Sequence, residues 1–248
     1  AGIWDKALTY AQQAGEQALA VYAPRAAVEQ LTRALRAAHE LAAPTPVALY
    51  RGRGLAYEIL GDFAPARADY EAARQLARTT HDRQGEWQAL LDLGLLWGGR
   101  DYARVGEFVH RALEIARETG DPIRLAHTLN RLGNWYTNVE RPHAAVQCHR
   151  EALTIFEGLA DRRGLAETLD FLGMASTMGA SPTQGAAYYA RALPLLEELD
   201  DRQRLVISLI MWTLQSGFYW SETSAPAPLN SADITRRSER AFQLAQDM

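Results

Sequence analysis

The chain has 248 residues, nearly half of them apolar, so it is long enough for one large domain or two ordinary ones and is not short of core-forming side chains. A net charge of −4 gives no basis for a nucleic-acid or membrane-surface partner, and no apolar run reaches the roughly 18 residues that would span a bilayer. The single cysteine, Cys148, cannot form an internal disulfide, which fits a reducing, cytoplasmic setting.

Ala, Leu, Arg, Glu and Gln dominate, while Val-, Ile- and Thr-rich alternation is scarce, so the elements read as helices. The first runs from Trp4 to Leu19 and is followed, after Tyr22-Ala23, by a second carrying Ala27, Leu31 and Ala34. From there the pattern recurs. Gly15, Gly54, Gly94, Gly133 and Gly173 sit in otherwise helical segments at spacings of 39, 40, 39 and 40 residues. A helical glycine costs about 1 kcal/mol against alanine, so five recurrences point to close approach of a second helix. Downstream of each comes a small-large-small face, as in Ala66-x3-Tyr70-x2-Ala73, Val105-x3-Val109-x2-Ala112, Ala145-x3-His149-x2-Ala152 and Gly185-x3-Tyr189-x2-Ala192. The spacing predicts helical hairpins at about 4–43, 46–80, 84–119, 122–160 and 163–200. The sixth, 203–248, is irregular. Leu205 to Trp220 reads as an apolar helix, Ser221 to Asn230 as an insertion of roughly nine residues relative to the other units, and the rest as a final helix ending in Ala241 and beyond. The insertion reads as a surface loop or as a binding loop on one face of the array.

This pattern resembles the tetratricopeptide repeat. Its clearest copy is Arg53-Gly54-x2-Tyr57-x3-Gly61-Asp62-Phe63-x2-Ala66-x3-Tyr70-x2-Ala73, where Arg53 replaces the usual leucine. The 40-residue period is similar to the long-repeat variety of bacterial multidomain regulators and some eukaryotic adaptors. The resemblance implies one all-α domain over 1–248, a right-handed α-solenoid of about six helix-turn-helix repeats, cut from a longer protein. The segment from Trp4 to Leu35 is similar to the start of such arrays in bacterial signal-transduction ATPases and LuxR-like transcription regulators. It implies a sensor arm that restrains or releases a neighbouring module.

The resemblance also implies a concave face lined by the first helix of each hairpin. Positions three before, one after, and four or five after the signature glycine look inward in such arrays. These are Arg51, Leu55, Glu58 and Ile59; Leu91 and Leu95; Asn130, Asn134, Thr137 and Asn138; Asp170, Met174, Thr177 and Met178; and Ile210, Leu214, Gly217 and Phe218. Arg51, Glu58, Asn130, Asn134, Asn138, Asp170 and Thr177 are the expected partner-binding residues. Asn130, Asn134 and Asn138 are four apart, and their amides could clamp a peptide backbone; the competing reading is a solvated polar stripe. Asp170 would receive a cationic side chain or simply face water. Trp212, Phe218, Tyr219 and Trp220 mark an apolar end, to be covered by a further repeat or by a second copy in a homodimer.

No catalytic motif stands beside this. Lys6 is the only lysine and lies in no phosphate-binding loop. His39-Glu40 lacks a second histidine at Ala43, no G-x-S-x-G elbow occurs, and His149 of the His143, Cys148, His149 group falls on the repeat's packing position. The acidic pairs Glu197-Glu198 and Asp200-Asp201 read as a solvated helix end. The sequence therefore predicts a protein- or peptide-binding scaffold without enzyme activity, metal or cofactor. The alternatives are an inducer sensor with its small molecule in the groove, or an oligomerisation element.

Overall fold

The computed structural model describes residues 2–42, 44–179, 181–218 and 231–247, and only the backbone of 215–218 and 231. The side chain of Phe218, together with Tyr219, Trp220 and the 221–230 insertion, thus lies outside the described residues. Among the described residues there are twelve helices and no strand. They are α1 (Gly2–Ala20), α2 (Pro24–Glu40), α3 (Val47–Ile59), α4 (Phe63–Thr79), α5 (Arg83–Trp97), α6 (Tyr102–Thr119), α7 (Pro122–Asn138), α8 (Pro142–Leu159), α9 (Arg162–Met178), α10 (Pro182–Glu198), α11 (Arg202–Phe218) and α12 (Ser231–Gln246). Taken in pairs, these form an all-α solenoid of helix-turn-helix repeats.

The chain divides between Thr119 and Gly120 into two compact units, α1–α6 and α7–α12. Within each unit successive helices pack on one another. The first helices of neighbouring hairpins also touch: α1 on α3 and α3 on α5, then α7 on α9 and α9 on α11.

Four of the five periodic glycines lie where a second helix leaves no room for a side chain; Gly94 differs, with Val109 fifteen residues on at 3.4 Å. A Cβ on Gly54 would lie 2.6 Å from the Tyr70 ring, and one on Gly173 would lie 2.7 Å from Tyr189. Gly15 meets Leu31 and Gly133 meets His149 in the same way, each partner sixteen residues on. The large residue of the second helix thus seats on bare backbone of the first. The alanines around it, Ala66 and Ala73, Ala145 and Ala152, are fully buried and let the axes approach. Gly185, which departs from the alanine usual at its position, sits against the Thr177 hydroxyl, where a Cβ would have no room.

A second periodicity governs the turns between hairpins. His81, Gly120, Ala160 and Asp200 all have left-handed backbone, and each is followed by an aspartate. Asp82, Asp121, Asp161 and Asp201 accept hydrogen bonds from backbone N–H groups in the first turn of α5, α7, α9 and α11. At these four junctions a left-handed residue follows one helix and an aspartate starts the next, whereas α3 begins after Pro46 without a side-chain cap.

Arg53, the departure from the leucine of the repeat, has a structural reason. Its guanidinium donates to both oxygens of Asp69 on α4 at 2.7 Å and to the Thr32 hydroxyl on α2 at 3.1 Å. An ion pair across the hairpin replaces an apolar contact there.

Candidate functional site

The polar residues expected to line a ligand groove are largely occupied by partners within the stack. On α3, Arg51 reaches across to α5, donating to Asp92 at 2.5 and 3.1 Å and to the Gln88 side chain at 2.8 Å. Glu58 accepts from the Tyr70 hydroxyl at 2.7 Å, and burial together with that contact pushes the phenol's pKa up. Both residues are half-buried.

The asparagine row of α7 runs from inside to outside. Asn130 is 3% exposed, which corrects the expectation that it faces a ligand. Its amide N–H donates to Thr168 Oγ1 on α9 at 2.8 Å, and its oxygen lies 3.0 Å from His149 Nδ1 on α8. The neighbouring hairpin closes over this part of α7 and takes the N–H end of the amide, while α8 of the same hairpin takes the oxygen. Asn134 is half-buried, with its Oδ1 shielded from water and without a hydrogen-bond partner among the described residues. Asn138 alone of the three is exposed. Thr177 is corrected as well: it is 2% exposed, and its hydroxyl donates to the Gly173 carbonyl within α9.

These contacts follow a rule that the sequence contains but that was not read from it. Thr128, Thr168 and Ser208 recur at 40-residue spacing, five residues before the signature position, and all three are fully buried. Asn130 and Asp170 lie 38 residues before Thr168 and Ser208, and each hydrogen-bonds to that hydroxyl. The position three before the glycine therefore joins neighbouring hairpins in this chain.

His149 extends the network. It is fully buried, and burial alone lowers its pKa to about 3. The ring is therefore neutral, with Nδ1 carrying the hydrogen that Asn130 accepts. Its unfolded pKa is ~6.5, so the unfolded chain binds one more proton between pH 6.5 and 3, and stability falls as pH falls through that window. Acidification from pH 7 to 5 is expected to remove about 2 kcal/mol through this residue. Burial raises the pKa of Asp170, which acts with opposite sign, so the difference between the wild-type protein and His149→Phe isolates the histidine. Melting temperatures measured from pH 7 to 5 check it: the wild type should fall more steeply than the variant.

What the first helices present to water is instead aliphatic. Leu55 and Ile59 on α3 and Leu95 on α5 are exposed in the first unit. Met178 on α9 and Ile207, Ile210 and Leu214 on α11 are exposed in the second. Most of these occupy the positions that the repeat pattern turns inward. Trp212 does not join them: it stacks on Tyr189, ring centroids 6.1 Å apart, and the Arg237 guanidinium of α12 lies 3.5 Å from its ring centre.

Asp170 stands apart. It lines a cleft of about 410 Å³ in the second unit with Phe171 and Met174 of α9, Tyr189 of α10, and Asp201, Gln203, Arg204, Ile207 and Met211 at and on α11. Among the described residues no group of three or more His, Cys, Asp and Glu side chains is placed to hold a metal ion. No described helix is long and apolar enough to cross a membrane.

The chain matches no family model and no curated protein. It resembles solved structures along nearly its whole length. One is a Signal Transduction ATPase with Numerous Domains protein with a tetratricopeptide repeat sensor from Pyrococcus horikoshii, at 12% identity and a TM-score of 0.77 over 95% of this chain. This chain spans 35% of that protein's length. A second is the apo form of RapI, at 15% identity and a TM-score of 0.77, covering 97% of this chain and 83% of RapI. A third is the quorum sensor NprR from B. thuringiensis, at 13% identity and a TM-score of 0.64, covering 97% and 75% of the two chains. At such identities the likeness concerns the fold, and that fold is a tetratricopeptide-type array of helical hairpins.

Proposed function

We propose that this chain is a recognition array, the sensor or docking arm of a larger signalling or transcription-regulatory protein, and that it binds a protein or peptide on the face formed by its first helices. The observation that carries this reading is the exposure of Leu55, Ile59 and Leu95 in one unit and of Met178, Ile207, Ile210 and Leu214 in the other, on helices whose polar groups are tied into the stack. Aliphatic side chains at recurrent positions of the first helices in each unit gain most when a partner removes them from water, at roughly 25 cal/mol per Å². The sensor in the Pyrococcus protein and the quorum sensor NprR support a sensing role for a fold of this kind. A binding role, not catalysis, also accounts for the buried titratable groups, each of which serves packing or a link between hairpins.

The test replaces Leu55 and Leu95 together with glutamate. Bait and variant should melt alike, since both positions face water, and a partner retained by the wild-type array from the source cells should be lost by the variant. Identical capture by the two would reject the face. Sedimentation of the wild-type chain distinguishes a second copy as the partner, through the aliphatic stripe of α11. The cleft beside Asp170 gives a second reading some footing, because its volume lies within the ~300–1,000 Å³ of small-molecule sites.

A further inference from the structure

We infer that the cleft between α9 and α11 binds an alkyl cation, a primary ammonium or guanidinium on an aliphatic stem, with the charge on Asp170 and Asp201 and the stem along Met174, Ile207 and Met211. This deepens the proposed function by naming the chemistry of one anchor, and rests on it only in taking a peptide side chain as one source of the cation.

Charge around the cleft is unbalanced. Glu167, Asp170 and Asp201 surround the single guanidinium of Arg204. Arg204 donates to Glu167 at 3.2 Å, whereas its nitrogens stay 3.9 Å from Asp170 Oδ2 and 3.7 Å from Asp201 Oδ2. Three carboxylates share one guanidinium, which leaves two negative charges in excess, and the two aspartates that line the cleft hold Arg204 only at the longer ion-pair distances. Asp170 is 13% exposed at its side chain, so its charge is poorly solvated. Burial pushes its pKa up despite the Ser208 hydrogen bond and Arg204. An entering cation would relieve that cost where water does not.

Both carboxylates are held in place without any ligand. Asp170 Oδ1 accepts from Ser208 at 2.6 Å, and Asp201 Oδ1 accepts from the Arg204 backbone N–H at the start of α11. Tyr189, also part of the lining, is fully buried against Gly173 and stacked on Trp212, so its ring is fixed by the repeat's own packing. Besides Gln203 and Arg204, the remaining wall is apolar, with Met174, Ile207 and Met211 beside Phe171, and its flexible methionines are the kind of surface that takes a methylene stem while its charged head sits among the carboxylates.

The chain has four methionines, Met174, Met178, Met211 and Met248, so methyl-labelled methionine gives four NMR signals, two of them from the cleft. The probes are agmatine, an acetylated and amidated Leu-Arg-Leu peptide, and the same peptide with neutral citrulline for arginine. Saturable shifts of Met174 and Met211 are expected with a cationic probe, at least tenfold weaker with citrulline, and at least tenfold weaker for Asp170→Asn. That variant keeps the acceptor for Ser208 and should melt like the wild type. Binding of the peptide but not of agmatine assigns the cation to a protein partner; comparable binding of agmatine assigns it to a free amine. Absent shifts at millimolar probe, or equal shifts with citrulline, overturn the site. Leu55 and Leu95 lie in the other unit, so partner capture that survives in Asp170→Asn leaves the proposed function standing when the cleft fails.

Discussion

Replacing Asn130 with alanine should cost about 3 kcal/mol of stability and leave partner binding intact in whatever fraction remains folded. Its amide is buried, with the N–H on Thr168 and the oxygen facing His149 Nδ1, so truncation leaves a hydroxyl and an imidazole without that partner. Each buried group left unsatisfied costs about 1–3 kcal/mol, with a little more for the small cavity. Asn138, two turns along the same helix and exposed, provides the contrast: its alanine variant should stay within ~0.5 kcal/mol of wild type. Thermal melts of the two variants, followed by circular dichroism, decide the matter. Equal melting temperatures for both would mean that Asn130 does not join α7 to its neighbours.

The other large effect is expected at Asp69. Its carboxylate is 7% exposed and takes two hydrogen bonds from Arg53, itself 19% exposed at the side chain. Asp69→Ala strands a guanidinium in the hairpin interior, and removing one partner of a buried pair costs about 3–5 kcal/mol. The double variant Arg53→Leu with Asp69→Leu removes both charges and restores leucine at the repeat's usual position. It should recover most or all of that loss, because apolar side chains of similar volume often replace a buried pair at no net cost. Urea midpoints of the wild type, the single variant and the double variant form the comparison. A double variant as unstable as Asp69→Ala would show that the pair contributes through geometry that leucine cannot supply.

The two residues mark where sequence reasoning succeeded and where it stopped. Arg53 was legible as a departure from the repeat, but its partner was not, because Asp69 sits on the next helix at a position with no fixed role in the pattern. Asn130 was misplaced for a similar reason. Its spacing from Asn134 and Asn138 puts all three on one side of α7, and helix geometry gives no hint that a neighbouring hairpin covers the first and not the last. The hydroxyls that receive the inter-hairpin contacts, Thr168 and Ser208, repeat at 40 residues together with the capping aspartates Asp82, Asp121, Asp161 and Asp201. Both series were there to be read and would have pointed to a polar seam inside the stack. The exposed aliphatic residues other than Ile207 stand at positions the repeat pattern turns inward, yet a leucine in a helix reads as core unless its neighbours are known.

Helical hairpins follow from the sequence alone, because a glycine and the large residue sixteen positions later meet across a single turn. Steric fit of that kind is local and repeats with the chain. Which polar groups are buried and which reach the surface was decided only in the tertiary structure. A side chain on a first helix is buried or exposed according to what the next hairpin, some forty residues on, lays over it, and burial turns the same amide from a binding group into a strut.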